Sequence, residues 1–520
     1  MSAPAPLSAS SLPPPSALAQ AAAAELEKLL PGRVSASDED RLCYARDMWP
    51  KAILWIRQGR IPPPPDVVVW PGSEEEVAKV ILLARAHKLP VIPFGAGSGV
   101  CGGVCAVHGG ISLDLKRLER VGPVDGDHFT VDVDAGVIGE VLERKLNAQG
   151  YTLGHFPSSI FMSTLGGWLA ARSAGQLSTR YGKIEDLVCS VRAVTGRGEV
   201  LQTPDRPSPG PDLAELLMGS EGTLCAFTRA RLRVHPVPQH RAFRAFRFRS
   251  VEAGVDAIRR LMRDGLRPAV VRLYDPFDTA LVARKKPVAP EEVVPPSERG
   301  LVKGELLPFL TRAIAPRALG NARLLNRAAD LFRNCLLVLM FEGEARRALQ
   351  EESGARELCQ QAGGADLGDE PAVRWYQTRY DVSFQMSPVV NAGMLADTME
   401  VAATWDRVLD VYHRVREATA PIAFAMCHFS HAYLEGCSLY FSFALAGRGQ
   451  PSLESRYDEL WKAGLSAALA AGATVSHHHG VGLLKARALA EQLGDSRRML
   501  HGLKRALDPD GIMNPGKLLP

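Results

Sequence analysis

The segment PFGAGSGVCGGV, residues 93–104, decides between two folds for this chain. Residues 97–102 satisfy the G-x-G-x-x-G pattern, which in nicotinamide-binding proteins opens a helix whose N-terminus receives the pyrophosphate. Here ISLDL (111–115) and FTVDVDAGV (129–137) follow instead, and both alternate in the manner of strands. Because no helix has room to form directly after the glycines, the sequence disfavours a nicotinamide site and predicts a glycine-rich loop between strands.

The stretch upstream of the glycines predicts a β-α-β unit. The apolar run VVVW (67–70) precedes Ser73 and Glu76, which are spaced as a capping box, and a helical pattern then leads to LPVIPF (89–94). Such a unit implies parallel strands. Successive glycines also expose backbone amides that can form an anion-binding concavity, so the glycine-rich loop is either a pyrophosphate cradle or a plain linker.

Two further glycine-bearing blocks follow along the chain. In FPSSIFMSTLGGWL (156–169) a serine, a threonine and two glycines mark the start of a short helix, and DLVCSVRAVTGRGEVL (186–201) reads as a hairpin. In MGSEGTL (218–224) a tight turn leads into a strand, and HPVPQH (235–240) is typical of a domain junction. The Pro- and charge-rich stretch at 276–330 predicts an irregular insertion.

Composition excludes several classes of function. The 61 basic and 57 acidic residues are spread along the chain, so nucleic acid is not expected as a partner. Nine cysteines without paired spacing indicate reduced thiols. The first 24 residues carry no charge, which argues against a secretory signal or a transit peptide, and no apolar run is long enough to span a bilayer. We therefore expect a cytoplasmic protein.

Three features in the second half are candidates for chemistry. His477, His478 and His479 lie side by side before two glycines and a helix that we expect to begin at Leu483. Consecutive residues of an extended segment point to opposite faces, so we predict no metal site; the histidines polarise a substrate, hold an anion, or are surface residues. Tyr440, in the strand SLYFSF, is either functional or a core residue. Arg272, inside the apolar strand AVVRLYD, needs an anionic partner or a cavity.

Taken together, these segments resemble a known family. The loop at 93–104, STLGGWLAARSAGQLSTRYGKIEDL (163–187) and MGSEGTL are similar to the FAD-binding domain of the vanillyl-alcohol-oxidase family. RYGKIEDLV, VVRLYD, TWDRV and SHHHGVG resemble the alkyldihydroxyacetonephosphate synthase branch of that family, which acts in ether-lipid synthesis. The resemblance covers residues 40–518 with the motifs in the family's order.

The resemblance implies an α+β fold, with a two-part FAD-binding domain and a cap domain whose antiparallel sheet is flanked by helices. It predicts five regions: a disordered tail (1–24), an N-terminal helical segment (25–61), the FAD-binding domain (62–238), the cap domain (239–470) and a C-terminal segment returning to the flavin (471–520). No histidine stands in the cradle where covalent relatives attach the flavin, so we expect FAD to bind non-covalently.

The implied cofactor residues fall in three groups. The pyrophosphate cradle would consist of Pro93, Gly95, Ala96, Gly97, Ser98 and Gly99. The ribose and isoalloxazine side would consist of Pro157, Ser158, Ser163, Thr164, Gly167 and Trp168. The adenine side would be completed by Glu221, Gly222 and Thr223.

The resemblance also implies catalytic roles. Tyr440 would be the acid/base, the histidine run would assist it, and Arg272 would be required for activity in exchanging the acyl chain of acyl-dihydroxyacetonephosphate for a fatty alcohol. Met386 stands where the synthases carry an arginine thought to hold the substrate phosphate, and a methionine cannot pair with a phosphate. This departure favours the alternative, an FAD-linked oxidase or dehydrogenase of an alcohol or 2-hydroxy acid. A small-molecule or lipid substrate, at most transient membrane contact and a homodimer complete the expectations.

Overall fold

Two units make up the part of the chain that the computed structural model describes, which is residues 12–282, 321–329, 331–381, 393–446 and 452–518. Unit 1 takes its residues from Met1–Gly175, Gly182–Val237 and His478–Pro520. Unit 2 takes them from Gln176–Tyr181 and Pro238–His477. The chain passes from unit 2 to unit 1 inside the histidine run, between His477 and His478.

The described helices and strands are numbered separately in chain order. The helices are α1 (Ala17–Leu29), α2 (Asp38–Cys43), α3 (Pro50–Arg57), α4 (Glu74–Ala86), α5 (Gly139–Asn147), α6 (Leu165–Ala171), α7 (Ser178–Tyr181), α8 (Ile184–Leu187), α9 (Leu213–Leu217), α10 (Val251–Arg263), α11 (Pro276–Val282), α12 (Ala322–Ala329), α13 (Ala345–Gln361), α14 (Glu370–Thr378), α15 (Val408–Thr419), α16 (Leu453–Ala470), α17 (Ala486–Leu493) and α18 (Arg497–Leu507). The strands are β1 (Val34–Ser35), β2 (Val67–Val69), β3 (Val91–Phe94), β4 (Ile111–Asp114), β5 (Thr130–Asp134), β6 (Tyr151–Thr152), β7 (Val188–Thr195), β8 (Val200–Gln202), β9 (Cys225–Arg233), β10 (His235–Pro236), β11 (His240–Phe248), β12 (Val270–Tyr274), β13 (Cys335–Gly343), β14 (Ala365–Asp366), β15 (Met394–Thr404), β16 (Phe424–Ala432) and β17 (Gly436–Ala446).

The first sheet of unit 1 carries the glycine-rich loop between two of its strands. Its order is β1-β2-β4-β3, and β4 runs parallel to both neighbours. The predicted strands β2 and β3 are therefore parallel, but β4 lies between them. Ser73 caps the connecting helix α4 through its side chain, which accepts the amide of Glu76. The glycine-rich loop leaves the carboxyl end of β3, the edge at which α/β sheets bind ligands.

The second sheet of unit 1 is antiparallel, with the order β5-β9-β7-β8. The predicted hairpin is β7 and β8. The N-terminal helix α1 begins at Ala17, so the prediction of a disordered tail through residue 24 is wrong for residues 17–24. Ser16 caps this helix and Ala19, Ala22 and Leu26 bury its apolar stripe, because alanine favours helix and the stripe packs into the core.

Unit 2 is built on one antiparallel sheet of seven strands, in the order β14-β11-β13-β12-β16-β17-β15. Helices α10, α13, α15 and α16 pack against it. In β17 the burial alternates with period 2: Leu439, Phe441 and Phe443 are buried, whereas Tyr440 and Ser442 are partly exposed. This arrangement confirms the predicted antiparallel sheet flanked by helices, and it leaves a second, more polar face for function.

Two segment predictions need adjustment. The predicted irregular insertion at 276–330 begins with helix α11 and ends with helix α12, and residues 283–320 lie outside the described part of the chain. The helix after the histidines begins at Ala486 instead of Leu483, because residues 482–484 form a turn in which the amides of Leu483 and Leu484 donate to the carbonyl of Cys101. Among the described residues, no helix is long and apolar enough to cross a membrane. The cytoplasmic location and the homodimer stay predictions.

Candidate functional site

Unit 1 brings the glycine-rich loop against the start of α6. Gly97 has a φ of +65°, a left-handed conformation that side chains disfavour. A Cβ added to Gly95 would lie 2.5 Å from the Oγ1 of Thr164, which is closer than two such atoms can approach. Thr164 in turn caps α6 by accepting the amide of Gly167 at 3.3 Å. Two blocks that the sequence separates by about 70 positions therefore meet where the side chain of Thr164 lies against the backbone of Gly95.

The first half of the glycine-rich loop is suited to an anion. Within the described part of the chain, no acceptor binds the backbone amides of residues 95–100, although these residues are partly or fully exposed. Lys116 lies beside them, because its Nζ donates to the carbonyl of Gly95 at 2.9 Å. A run of unused amides matches the acceptor oxygens of a pyrophosphate, whereas the charge of Lys116 is already paired with the Oδ2 of Asp114 at 2.5 Å. The predicted cradle residues Gly95 to Gly99 thus fit FAD.

The second half of the loop is already occupied by a carboxylate that sequence reasoning missed. Asp47, which is 2% exposed and precedes α3, accepts the amides of Gly102 at 2.9 Å and Gly103 at 3.1 Å. It also accepts the amide of Trp49 at 3.0 Å. Burial raises the pKa of Asp47 to about 6, while these amides oppose the rise. No local signal marks the contact of Asp47 with the loop, because Gly102 and Gly103 lie more than 50 residues away.

The predicted adenine-side residues form a turn packed on the end of β3. A Cβ on Gly222 would lie 2.9 Å from the Cδ of Pro93, so the turn and the loop touch directly. Thr223 is buried and its hydroxyl donates to the carbonyl of Ser220 at 2.7 Å. Of this group, Gly222 contacts Pro93, which is itself one of the predicted cradle residues.

Glu221 has a different use from the predicted one. Its carboxylate accepts the amides of Val481 and Gly482, the residues that follow the histidine run. Burial raises its pKa, and the two amides oppose the rise. Asn514 adds a second tie, since its Nδ2 donates to the carbonyls of Gly103 at 3.0 Å and Glu221 at 2.6 Å. Glu221 therefore binds the C-terminal segment of unit 1, at residues 481–482, to the turn beside the cradle.

The residues predicted along the isoalloxazine are split between surface and interior. Ser158 is exposed and Thr164 faces Gly95, whereas Pro157 is buried. Trp168 is 2% exposed, and its indole Nε1 donates to the Oγ of Ser163 at 2.8 Å. Both side chains are buried and bonded to each other, an arrangement that satisfies the indole N–H in the core, and their place along the flavin stays a prediction.

Unit 2 places its predicted catalytic tyrosine in a row of four polar or titratable side chains. The strand registers set Tyr274 on β12 opposite His428 on β16, His428 opposite Tyr440 on β17, and Tyr440 opposite Glu400 on β15. Directly opposite residues of an antiparallel sheet share one face. The row therefore crosses four strands on the polar face of the sheet.

Tyr440 is held as a neutral hydroxyl. It donates to the Oγ1 of Thr398 at 3.0 Å, and burial raises its pKa to about 12, with Glu400 adding to the rise. The ring of His428 stacks on it, with centroids 4.7 Å apart and planes 19° apart. Burial, followed by the charge of Arg272, holds the pKa of His428 well below its usual range, so this imidazole is neutral.

Arg272, the predicted arginine of the site, lies next to His428 and Tyr274 of this row. Its Nη2 lies 3.3 Å from the Nδ1 of His428, and its guanidinium carbon is 5.2 Å from the ring centroid of Tyr274. Its Nε is buried and has no acceptor among the described residues. A guanidinium stays charged at all ordinary pH values, so Arg272 offers a permanent site for an anionic group.

The histidine run is divided between the units. In unit 2, the amide of His477 donates to the carboxylate of Glu400, and its ring centroid lies 5.4 Å from that of His431. In unit 1, the rings of His478 and His479 meet edge to face at 4.6 Å. No group of three or more metal-ligating side chains occurs among the residues that the structure describes.

Four polar residues of unit 2 escaped the sequence analysis. They are His428, His431, Glu400 and Ser178, and the Oγ of Ser178 lies 2.7 Å from the Nδ1 of His431. His431 has a φ of +51° at a β-bulge, the kind of strained position that is enriched at functional sites. The alternation in CHFSHAY (427–433) was the available signal, because it sets His428 on the Tyr440 face.

The position that departs from the synthases lies outside the described residues. Met386 belongs to the stretch 382–392, of which nothing is described. Arg379, the nearest alternative arginine, follows α14 and stacks its guanidinium carbon 3.8 Å from the ring centroid of Tyr376 and 4.5 Å from that of Tyr380.

Two protein-family models match this chain. The family described as FAD binding domain matches residues 65–204, and the family described as FAD linked oxidases, C-terminal domain, matches residues 237–518. The chain belongs to the FAD-linked oxidase family, with the FAD-binding fold of the vanillyl-alcohol-oxidase type. It is an FAD-dependent enzyme, and FAD is its cofactor.

Individual proteins similar to this chain include both synthases and a dehydrogenase. The chain is 29% identical to alkyldihydroxyacetonephosphate synthase of Caenorhabditis elegans, over 95% of this chain and 83% of the relative, and 30% identical to that of Trypanosoma brucei brucei, over 91% and 76%. A probable mitochondrial D-lactate dehydrogenase of Danio rerio is 27% identical over 88% and 84%. A solved alkyldihydroxyacetonephosphate synthase superposes with a TM-score of 0.76 at 27% identity, covering 97% of this chain and 86% of that one.

Proposed function

We propose that the enzyme exchanges the acyl chain of an acyl-dihydroxyacetonephosphate for a fatty alcohol. The observation that carries this proposal is the change from polar to apolar along one face of the sheet in unit 2. Arg272 begins this face opposite Ser430, and the row of Tyr440 comes next along the strands. An amphiphile with an anionic head and an apolar tail matches such a face.

Away from Arg272 the face carries uncharged side chains. Thr398 and Met426 pair with Ser442 in one row, and Ala396 and Phe424 pair with Ala444 in the last row, which is apolar. Successive rows lie roughly 7 Å apart because a strand rises 3.4 Å per residue, so the face extends on the order of 20 Å from Arg272 to Ala444. A small hydroxy acid would use only its first third, whereas an alkyl chain would use all of it.

Each polar group then has a defined task. Arg272 binds the anionic head of the substrate, and the Tyr440 hydroxyl, with its pKa of about 12, donates a hydrogen bond or a proton to the reacting centre. Neutral His428 packs against the Tyr440 ring and fixes its orientation. When bound, FAD supplies the electron sink for the exchange, and the residues of the cradle, from Gly95 to Gly99, would hold its pyrophosphate.

An alternative function is FAD-linked oxidation of an alcohol or a 2-hydroxy acid. Two observations favour it: the similarity to a probable D-lactate dehydrogenase, and methionine at position 386 where the synthases carry an arginine. In that reaction Arg272 would bind the carboxylate and Tyr440 would handle the hydroxyl proton.

One experiment separates the two functions. The purified yellow protein is mixed without oxygen, in one arm with acyl-dihydroxyacetonephosphate and a labelled fatty alcohol, and in the other with a panel of 2-hydroxy acids and alcohols. We expect release of the fatty acid, incorporation of the label and no lasting loss of the visible flavin absorption. Full bleaching of the flavin by a hydroxy acid, without any exchange in the first arm, would contradict the proposal and select the alternative.

A further inference from the structure

A buried carboxylate from outside the FAD-binding domain holds the glycine-rich loop. Asp47 lies between α2 and α3, whereas the matched FAD binding domain begins at residue 65. Its carboxylate accepts the amides of Gly102 and Gly103, and its neighbour Met48 donates its own amide to the carbonyl of Gly99 at 2.8 Å. The segment at 47–49 thus binds both ends of the stretch 99–103.

These contacts divide the loop into two halves with different hydrogen-bonding states. The amides of residues 95–100 have no acceptor among the described residues. The amides of Gly102 and Gly103 already bind a negative charge that belongs to the protein. Because an anion repels a second anion in a site of low dielectric, a phosphate is disfavoured at the second half and favoured at the first.

We propose that Asp47 is a positioning residue for the cofactor, which fixes the shape of the glycine-rich loop and confines the FAD pyrophosphate to the amides of residues 95–100. The inference depends on FAD binding by unit 1 and not on the reaction proposed above. The fit is tight, since a Cβ added to Gly99 would lie 3.2 Å from the Oδ2 of Asp47. A shift of the carboxylate therefore moves the backbone of the cradle itself.

The most direct test needs no variant. Residue-resolved hydrogen exchange is measured on the holoenzyme and on protein from which FAD has been removed. We expect the amides of Gly102 and Gly103 to be protected in both forms, and those of residues 95–100 to gain protection only with FAD. Protection of Gly102 and Gly103 that appears only with FAD, or of 95–100 that needs no FAD, would overturn the proposal.

A second test uses Asp47→Asn, which keeps the shape of the side chain but replaces one acceptor oxygen by an N–H donor. That donor faces a backbone N–H, so the loop loses a charge-assisted hydrogen bond, and we expect the dissociation constant for FAD to rise about 10- to 100-fold. The control is Glu143→Gln, another buried carboxylate of unit 1, which binds Thr152 and Leu153 and does not touch the loop.

The comparison of these variants is decisive in either direction. Unchanged FAD affinity in Asp47→Asn would remove the positioning role. Tighter binding would mean that charge repulsion outweighs loop shape, which also overturns it. An equal loss of FAD affinity in Glu143→Gln would mean that the effect of Asp47→Asn is general destabilisation of unit 1, which would contradict the proposal.

A pH profile gives a readout that general destabilisation does not move. Protonation of Asp47 weakens its hydrogen bonds to the two amides, so FAD retention by the wild type should fall as the pH drops through about 6, the pKa of Asp47. This step should be absent in Asp47→Asn. The charged or titratable groups around it are Arg46, Cys105, Glu221, Lys485 and Lys517. A step of the same size in the variant would assign the pH dependence to one of them.

Discussion

The two units build their functional surfaces from different parts of the polypeptide. In unit 1 the cradle at 95–100 presents backbone amides. The side chain of Asp47 binds the adjoining part of the loop, and that of Thr164 packs against Gly95. In unit 2 the row of Tyr440, His428 and Glu400 presents side chains on a regular sheet. A backbone site is damaged by adding atoms, whereas a side-chain site is damaged by removing them. This difference predicts which substitutions affect cofactor binding and which affect turnover.

The largest effect is expected from Tyr440→Phe. The variant loses the hydroxyl that donates to Thr398 and that we propose as the acid/base, so turnover should fall on the order of 10²- to 10⁴-fold, the usual effect of removing a general acid or base. FAD content should not change, because the tyrosine belongs to unit 2. Steady-state kinetics and the flavin absorption measure both quantities. The control is Tyr412→Phe, a buried tyrosine of α15, and near-normal turnover in Tyr440→Phe would remove the catalytic assignment.

The next effect is expected from Arg272→Gln. Loss of the cation should raise KM for the anionic substrate about 10- to 100-fold, because a hydrogen bond to a charged group contributes about 1.5–3 kcal/mol. The same change removes the positive charge that lowers the pKa of His428, so that pKa should move toward its ordinary value. Initial-rate kinetics over a range of substrate concentrations separate KM from kcat. A loss confined to kcat would contradict a binding role.

A comparable but cofactor-specific effect is expected from Gly95→Ala. The added Cβ would lie 2.5 Å from the Oγ1 of Thr164, and forced overpacking costs about 1–3 kcal/mol, so the FAD dissociation constant should rise about 5- to 100-fold. Fluorescence of free FAD reports the binding. Gly502→Ala in α18 is the matched control, because its Cβ would meet no atom within 4 Å. Unchanged binding in Gly95→Ala would mean that the loop relaxes without cost.

The smallest effect concerns the stability of unit 1 against pH. Burial raises the pKa of Glu143 to about 7, so the folded protein binds this proton more tightly than the unfolded chain. The contribution of Glu143 is therefore present at low pH and is lost as the pH rises through about 7. We expect Glu143→Gln to reduce that fall, as a change of a few degrees in the pH dependence of Tm. Parallel Tm curves for the wild type and the variant would exclude the linkage.

The sequence predicted the fold of unit 1 because its signals are local. A strand that follows the glycines, with no room for a helix, disfavoured the nicotinamide fold, and the capping box at Ser73 marked α4. The order of the strands was not local, so the insertion of β4 between β2 and β3 went unpredicted. Strand order depends on packing between segments that no window of sequence contains.

The candidate site divides in the same way. Motifs found Tyr440, Arg272 and the glycine-rich loop, because each is a conspicuous residue type in a regular pattern. Asp47 and Glu400 were missed, since a lone carboxylate in the sequence looks like any surface acid until its buried partners are known. The family resemblance placed Trp168 along the flavin, and the structure shows its indole N–H bonded to Ser163 in the core of unit 1.

The division of work between the units is tested most directly by one FAD titration. Wild type, Tyr440→Phe and Gly95→Ala are each stripped of FAD and titrated with it under the same conditions. The isotherm of Tyr440→Phe should superimpose on that of the wild type, while that of Gly95→Ala should move to higher FAD concentration. A Tyr440→Phe isotherm displaced as far as that of Gly95→Ala would contradict a cofactor site built from the backbone of unit 1 and a catalytic face built from the side chains of unit 2.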